Sequence, residues 1–232
     1  MGLSETPNGT YGATLWSGGK ISNLGTLGGQ SGYAEAINNA GQVAGYSQTA
    51  SGADLPTLWS GGKIINLGTL GGQNGIAYGI NDAGQAVGWS QTTSGAQVPT
   101  LWRGGKIIDL GALGGQSGYA EAINNAGQAV GYSWTTPSIP TLWSGGKIMD
   151  LNTSIVGRTE VNGINDLGQI VGDASLPGQY SEAILLTPVA AAPGPIPGAG
   201  MLSYLLLGFV GFPALARVCG RRGSFTRQGF PG

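Results

Sequence analysis

The chain has 232 residues, of which 46 are Gly and 12 are Pro; only 9% are charged and the net charge is −1. It has no His and a single Cys, which excludes a Ser-His-Asp or Cys-His nucleophile, a His-ligated metal, an internal disulfide and a multi-thiolate cluster. Near-neutral charge leaves no basic footprint for nucleic acid.

A Gly and Pro share of roughly a quarter marks low-complexity sequence unless it is periodic. Here it is periodic. From the N-terminus, Gly2-Leu3-Ser4 aligns with Gly45-Tyr46-Ser47 at an offset of 43. The chain is thus expected to enter in the last strand of a hairpin whose partner strand is absent, as in a truncated chain, a late gene start or an open array. Trp16, Trp59 and Trp102 follow 43 apart, and Trp143 comes 41 later. Each stands in a cassette such as Pro56-Thr57-Leu58-Trp59-Ser60-Gly61-Gly62-Lys63, where Gly-Gly supplies the positive φ of a tight hairpin.

A second cassette follows each time, and the run Ser31 to Gln42 recurs letter for letter at Ser117 to Gln128. Its turn, Asn81-Asp82-Ala83-Gly84 and analogues, fits a type I turn closed by a left-handed Gly. Between the hairpins lies a Gly-rich link, Leu70-Gly71-Gly72-Gln73, replaced in the fourth unit by Leu151-Asn152-Thr153-Ser154. The last partial unit ends in the strand Ser181 to Leu186, with Leu185 at the Trp position. Four short strands per unit of about 40–45 residues predict an all-β repeat array over residues 1–187, β-propeller-like and incomplete or open. A β-solenoid or stacked-hairpin array is the competing architecture.

Composition changes at Pro188. Residues 188–197 read as a Pro/Ala-rich linker, and residues 198–216, free of charge, as one transmembrane helix about 28 Å long at ~1.5 Å per residue. Residues 217–232 form a basic tail with Arg217, Arg221, Arg222 and Arg227, which places the C-terminus in the cytoplasm and the repeats outside. The first 190 residues carry 6 basic and 11 acidic groups, whereas the remainder carries 4 basic and none acidic.

The paired cassettes (Leu-Trp, Gly-Gly-Lys, Asp/Asn-Leu-Gly-x-Leu-Gly-Gly, then Ala-x-x-Ile-Asn-x-x-Gly-Gln-x-Val-Gly) resemble the HAF family of extracellular bacterial repeats over about Gly2 to Thr187. The family's His-Ala-Phe before Leu-Trp is replaced by Ala13-Thr14 or Pro56-Thr57. The resemblance implies location and architecture rather than a reaction. The C-terminus resembles a PEP-CTERM sorting signal through Pro193, Pro195, Gly198, Ser203, Tyr204, Arg221 and Arg222, with Gly194 where the family motif has Glu. That likeness implies an exosortase-type processing enzyme as a partner and delivery to the envelope or the extracellular space.

Several residues are weighed for chemistry. Trp16, Trp59, Trp102 and Trp143, one per unit, are expected to fill the gaps between neighbouring units, and Tyr46, Trp89 and Tyr132 to do the same from a second position. Trp134 falls outside the repeat and is a surface candidate. Glu35 and Glu121 share a register with Tyr78 and Asn162, so no ring of acids forms, and spacing picks out no pair of carboxylates for glycoside hydrolysis. The Asn-Asp turns lack the dense acidic loop of a calcium site. Cys219 is expected to be an incidental thiol. No catalytic residue, cofactor or metal is therefore assigned. The expectation is a non-enzymatic surface or secreted protein whose partners are the membrane and an extracellular polysaccharide or surface protein. A propeller hydrolase with its catalytic part elsewhere, or a passive structural module, is the alternative.

Overall fold

A computed structural model describes residues 1–5, 9–115, 117–151, 158–175, 180–189 and 203–206. These residues form five antiparallel sheets, each a meander of consecutive strands. The first has three strands: β1 (Gly2–Glu5), β2 (Tyr11–Ser17) and β3 (Lys20–Asn23). The second holds β4 (Gly28–Ile37), β5 (Val43–Thr49), β6 (Asp54–Ser60) and β7 (Lys63–Asn66). The third holds β8 (Gly71–Ile80), β9 (Ala86–Thr92), β10 (Gln97–Arg103) and β11 (Lys106–Asp109). The fourth holds β12 (Gly118–Ile123), β13 (Ala129–Ser133), β14 (Ile139–Ser144) and β15 (Lys147–Asp150). The fifth holds β16 (Arg158–Ile164), β17 (Ile170–Ser175), β18 (Ser181–Val189) and β19 (Ser203–Leu206). The expected repeat of four-stranded units is therefore present, and β1 takes the place that β5 holds in the second sheet.

Both turn types follow their residues. Gly61 and Gly62 lie at φ +56° and +75° between paired Ser60 and Lys63, the two positive values that a primed two-residue turn requires. In the other hairpin Gly84 donates to the Asn81 carbonyl and Asn81 to the Gln85 carbonyl, each at 3.0 Å, closing the turn. The Gly-rich links differ from the sequence expectation. Gly28 and Gly71 open ten-residue strands, held by isolated parallel bridges from Leu27 and Leu70 to Thr49 and Thr92. Fully buried Ser47, Ser90 and Ser133 pin the links, each Oγ accepting from the amide of Leu27, Leu70 or Leu113 at 2.8–2.9 Å.

The core lies between sheets as four clusters, one per interface. Ala44 and Leu58 of the second sheet meet Ala77, Ala86, Trp102 and Ile107 of the third. Val87 and Leu101 meet Ala120, Ala129, Trp143 and Ile148 one interface later. The buried indoles donate across these gaps: Trp59 to the Gly25 carbonyl at 3.2 Å, Trp102 to Gly68 at 3.0 Å and Trp143 to Gly111 at 2.9 Å. Trp16 departs from the expected packing. It is 46% exposed, because no sheet lies before the first one among the described residues.

A second correction concerns the fifth sheet. Ile170 pairs with Leu186 as Ala129 pairs with Trp143, so Leu186 and not Leu185 holds the Trp position. Ile170 and Leu186 stand 16 residues apart, as Val43 and Trp59 do, whereas Ala129 and Trp143 stand 14 apart, and a one-residue slip exchanges the two faces of a strand. Leu186 is 3% exposed.

Most of the expected span 198–216 lies outside the described residues. Its described part, Ser203–Leu206, is a strand paired with Leu186–Val189 along the free edge of β18. Among the described residues no helix is long and apolar enough to cross a membrane.

Candidate functional site

Two depressions mark the repeat, and they are built on opposite principles. The first, about 290 Å³, is ringed by four equivalent turns: Asn38-Asn39, Asn81-Asp82, Asn124-Asn125 and Asn165-Asp166. Each turn side chain works twice. Asn81 donates to Gln85 Oε1 at 2.8 Å and to the Asn124 carbonyl at 3.0 Å, while its Oδ1 accepts the Gln85 amide at 3.0 Å. Asn38 and Asn124 repeat the cross-turn bond to Asn81 and Asn165. An outer ladder runs alongside: Asp82 accepts from the Asn39 amide and side chain at 2.9 and 2.8 Å and from the Asn125 side chain at 3.2 Å. The Asn39 amide, then the Asn39 side chain, and also the Asn125 side chain hold the exposed Asp82 carboxyl below its ordinary range. Among the described residues no group of three His, Cys, Asp or Glu is arranged to hold a metal ion. Three of the four turns donate to the carbonyl of the next turn, and these bonds tie successive sheets together.

The second depression arises from a defect in the ladder that every unit shares. In the second to fifth sheets the first strand carries a β-bulge, between Ala34/Ala36, Ala77/Gly79, Ala120/Ala122 and Val161/Gly163. The skipped residues are Glu35, Tyr78, Glu121 and Asn162, the four that share a sequence register. Bulges re-aim side chains, and each needs space on the partner strand. Gly88 provides it: a Cβ there would lie 1.9 Å from the Ile76 carbonyl oxygen, and Gly45, Gly131 and Gly172 face the same clash from 1.8 to 2.2 Å.

Between the fourth and fifth sheets this register opens into a cleft of about 660 Å³, lined by Tyr119, Glu121, Tyr132, Trp134, Glu160 and Asn162 among others. Tyr119 is its aromatic centre, 5.3 Å from the Tyr132 ring, 5.9 Å from Trp134 edge-on and 5.7 Å from Tyr78 edge-on. Trp89 donates to the Tyr78 hydroxyl at 3.2 Å, and the Tyr132 hydroxyl accepts the Val161 amide, fixing both rings. Burial raises the carboxyls of Glu35 and Glu121, and the negative charge of Glu35 raises Glu121 further. The Tyr132 hydroxyl is raised by burial, against the bond to Val161, and by the charges of Tyr119, Glu160 and Asp173. Thr159 Oγ1, buried in the cleft wall, has no hydrogen-bond partner among the described residues.

The structure thus joins Trp134, 41% exposed, with Glu121 and Tyr132, which the sequence had singled out separately. It keeps Trp59, Trp102 and Trp143 in the core. Tyr119 lay within the recurring run without being singled out and Glu160 entered no motif, yet a signal was present: Glu160 stands where the other units have Tyr33, Ile76 and Tyr119. Pro193, Pro195, Gly198, Arg221, Arg222 and Cys219 lie outside the described residues, while Ser203 and Tyr204 belong to β19. No protein-family model matches the chain, and no curated protein matches it.

Proposed function

We propose that this chain is a non-enzymatic, cell-surface or secreted β-repeat protein that adheres to an extracellular polysaccharide through the cleft between its fourth and fifth sheets. The observation that carries this reading is the meeting of three aromatic rings with carboxylates in one open depression. Aromatic faces take the apolar side of a sugar ring, and a few convergent polar groups take its hydroxyls. Glu121 and Glu160 accept from hydroxyl groups, Asn162 donates or accepts, and among the described residues no Lys or Arg lines the cleft. A neutral polysaccharide fits that set better than an acidic one.

Delivery rests on the resemblances. An apolar C-terminal segment read as a sorting helix, with its Arg cluster, inserts in the membrane and presents the HAF-like repeats outside, with an exosortase-type enzyme as processing partner. Mass spectrometry of exported material tests this part: peptides ending near Pro195 support processing, and recovery of the Phe225 region supports a retained anchor.

A second reading, a polysaccharide hydrolase, has one observation in its favour: Glu121 and Glu160 share the cleft, and burial holds the first protonated to higher pH. A neutral-glycan array followed by a reducing-end assay separates the two. Retention without new reducing ends supports adhesion. Turnover abolished by Glu121→Gln and by Glu160→Gln establishes hydrolysis instead.

A further inference from the structure

Two of the four interfaces between neighbouring sheets, second to third and third to fourth, are made from the same two half-surfaces. The later sheet contributes a Trp and the Ile paired across from it, as Trp143 with Ile148. The earlier sheet contributes a small or branched residue from its second strand and a Leu from its third, as Val87 with Leu101. The pattern recurs with Trp102 and Ile107 on Ala44 and Leu58.

Among the described residues, the first and fifth sheets each present part of one of these half-surfaces uncovered. On the first sheet, Trp16 pairs with Ile21, and they are 46% and 70% exposed, against 3–4% for the three internal Trp side chains. Among the described residues the Trp16 indole has no acceptor, where its equivalents each have a Gly carbonyl. On the fifth sheet Val171, in the register of Val87 and Val130, is 49% exposed where those two are fully buried. The ends are therefore not two unrelated apolar patches. One is the knob and the other the socket of a contact the chain builds repeatedly within itself.

We propose that a second copy of this chain covers these faces, with the Trp16 face of one copy seated on the Val171 face of the next. Such a contact joins different surfaces of identical chains, so it propagates head to tail into rings or longer arrays. It presents the aromatic cleft many times along one assembly, and multivalent display strengthens adhesion without any new contact to the ligand.

The test is sedimentation velocity of the full-length chain in mild detergent over a wide concentration range. Wild type should form dimers and larger species as concentration rises. Trp16→Asp and Val171→Asp should each lower the association constant roughly 30-fold or more, the scale for removing a central aromatic anchor or burying a charge opposite it. Mixed at equal concentration, the two variants should form a 1:1 dimer and nothing larger, because each keeps the half-surface that the other has lost. Recovery on mixing also shows that both variants are folded. Wild type that stays monomeric throughout, as when Val171 closes on Trp16 of the same chain, overturns the proposal. So does association that survives in both variants, or a mixture that fails to pair.

Discussion

The turn ring and the aromatic cleft are built from the same strands of the same repeat, yet one is closed to chemistry and the other open to it. In the ring, Asn38, Asn81 and Asn124 make the same two donations in successive units, so both side-chain N–H groups of each are spent on the framework. In the cleft the repeat lapses: Trp134 has no equivalent, Glu160 replaces a Tyr or Ile, and Asn162 replaces an acid or Tyr. Where this chain repeats, residues hold sheets together; where it stops repeating, side chains are left facing solvent. The contrast predicts that framework positions cost stability without a specific effect on binding, and cleft positions the reverse.

The largest effect should come from the bulge glycines. Gly88→Val drives a side chain into the Ile76 carbonyl within a sheet, where neither backbone strand has room to yield. Its expected cost is above about 4 kcal/mol, the range of the severest single substitutions, read as a chain that no longer unfolds cooperatively in urea. Gly79→Ala, where the added carbon meets backbone at 3.1–3.2 Å, should be milder.

Next come the indoles. Trp102→Ala should cost about 3–5 kcal/mol as a buried aromatic truncation, and Trp16→Ala less than about 1 kcal/mol at low protein concentration. Equal losses at the two positions would show that Trp16 is covered in solution. A smaller effect is expected in the ring: Asn81→Ala removes three hydrogen bonds, among them the second donor to the Asn124 carbonyl, for about 1–3 kcal/mol. Glycan retention, corrected for the folded fraction, should stay unchanged.

The smallest effect concerns pH. Glu121 has its carboxyl raised in the folded state by burial and then by Glu35, so between its unfolded value near 4.5 and its folded value the native state holds more protons. Stability must fall as pH rises through that window, since the unfolded state binds fewer protons there. Glu121→Gln should flatten this fall and raise the melting temperature at neutral pH. Asp82, held low by Asn39 and Asn125, acts with the opposite sign and loses its contribution on acidification.

The strands and turns were legible because their signals are local: Gly61-Gly62 specifies its hairpin, and Asn81 with Gly84 specifies the other. The glycine at position 88 was visible as part of a motif, but its reason was not. It answers a bulge in the partner strand, which depends on pairing rather than on neighbours in sequence. Leu186 was misplaced by one residue because the fourth unit is two residues shorter between its paired positions, 14 against 16, so its spacing does not carry to the fifth. The cleft was legible only in pieces. Trp134 stood out by breaking the pattern, whereas Glu160 and Tyr119 become partners only when the fifth sheet packs on the fourth.

One measurement bears most directly on the claim that the cleft, and not the ring, is the functional surface. Isothermal titration of the folded chain with a neutral oligosaccharide selected on the array should be compared for wild type, Trp134→Ala and Asn125→Ala, with urea unfolding of each. Trp134→Ala should weaken binding by tenfold or more, about 1.4 kcal/mol, while changing stability by less than about 0.5 kcal/mol; Asn125→Ala should leave the affinity as it was. Unchanged affinity in Trp134→Ala, or a loss in Asn125→Ala at unchanged stability, would contradict that assignment.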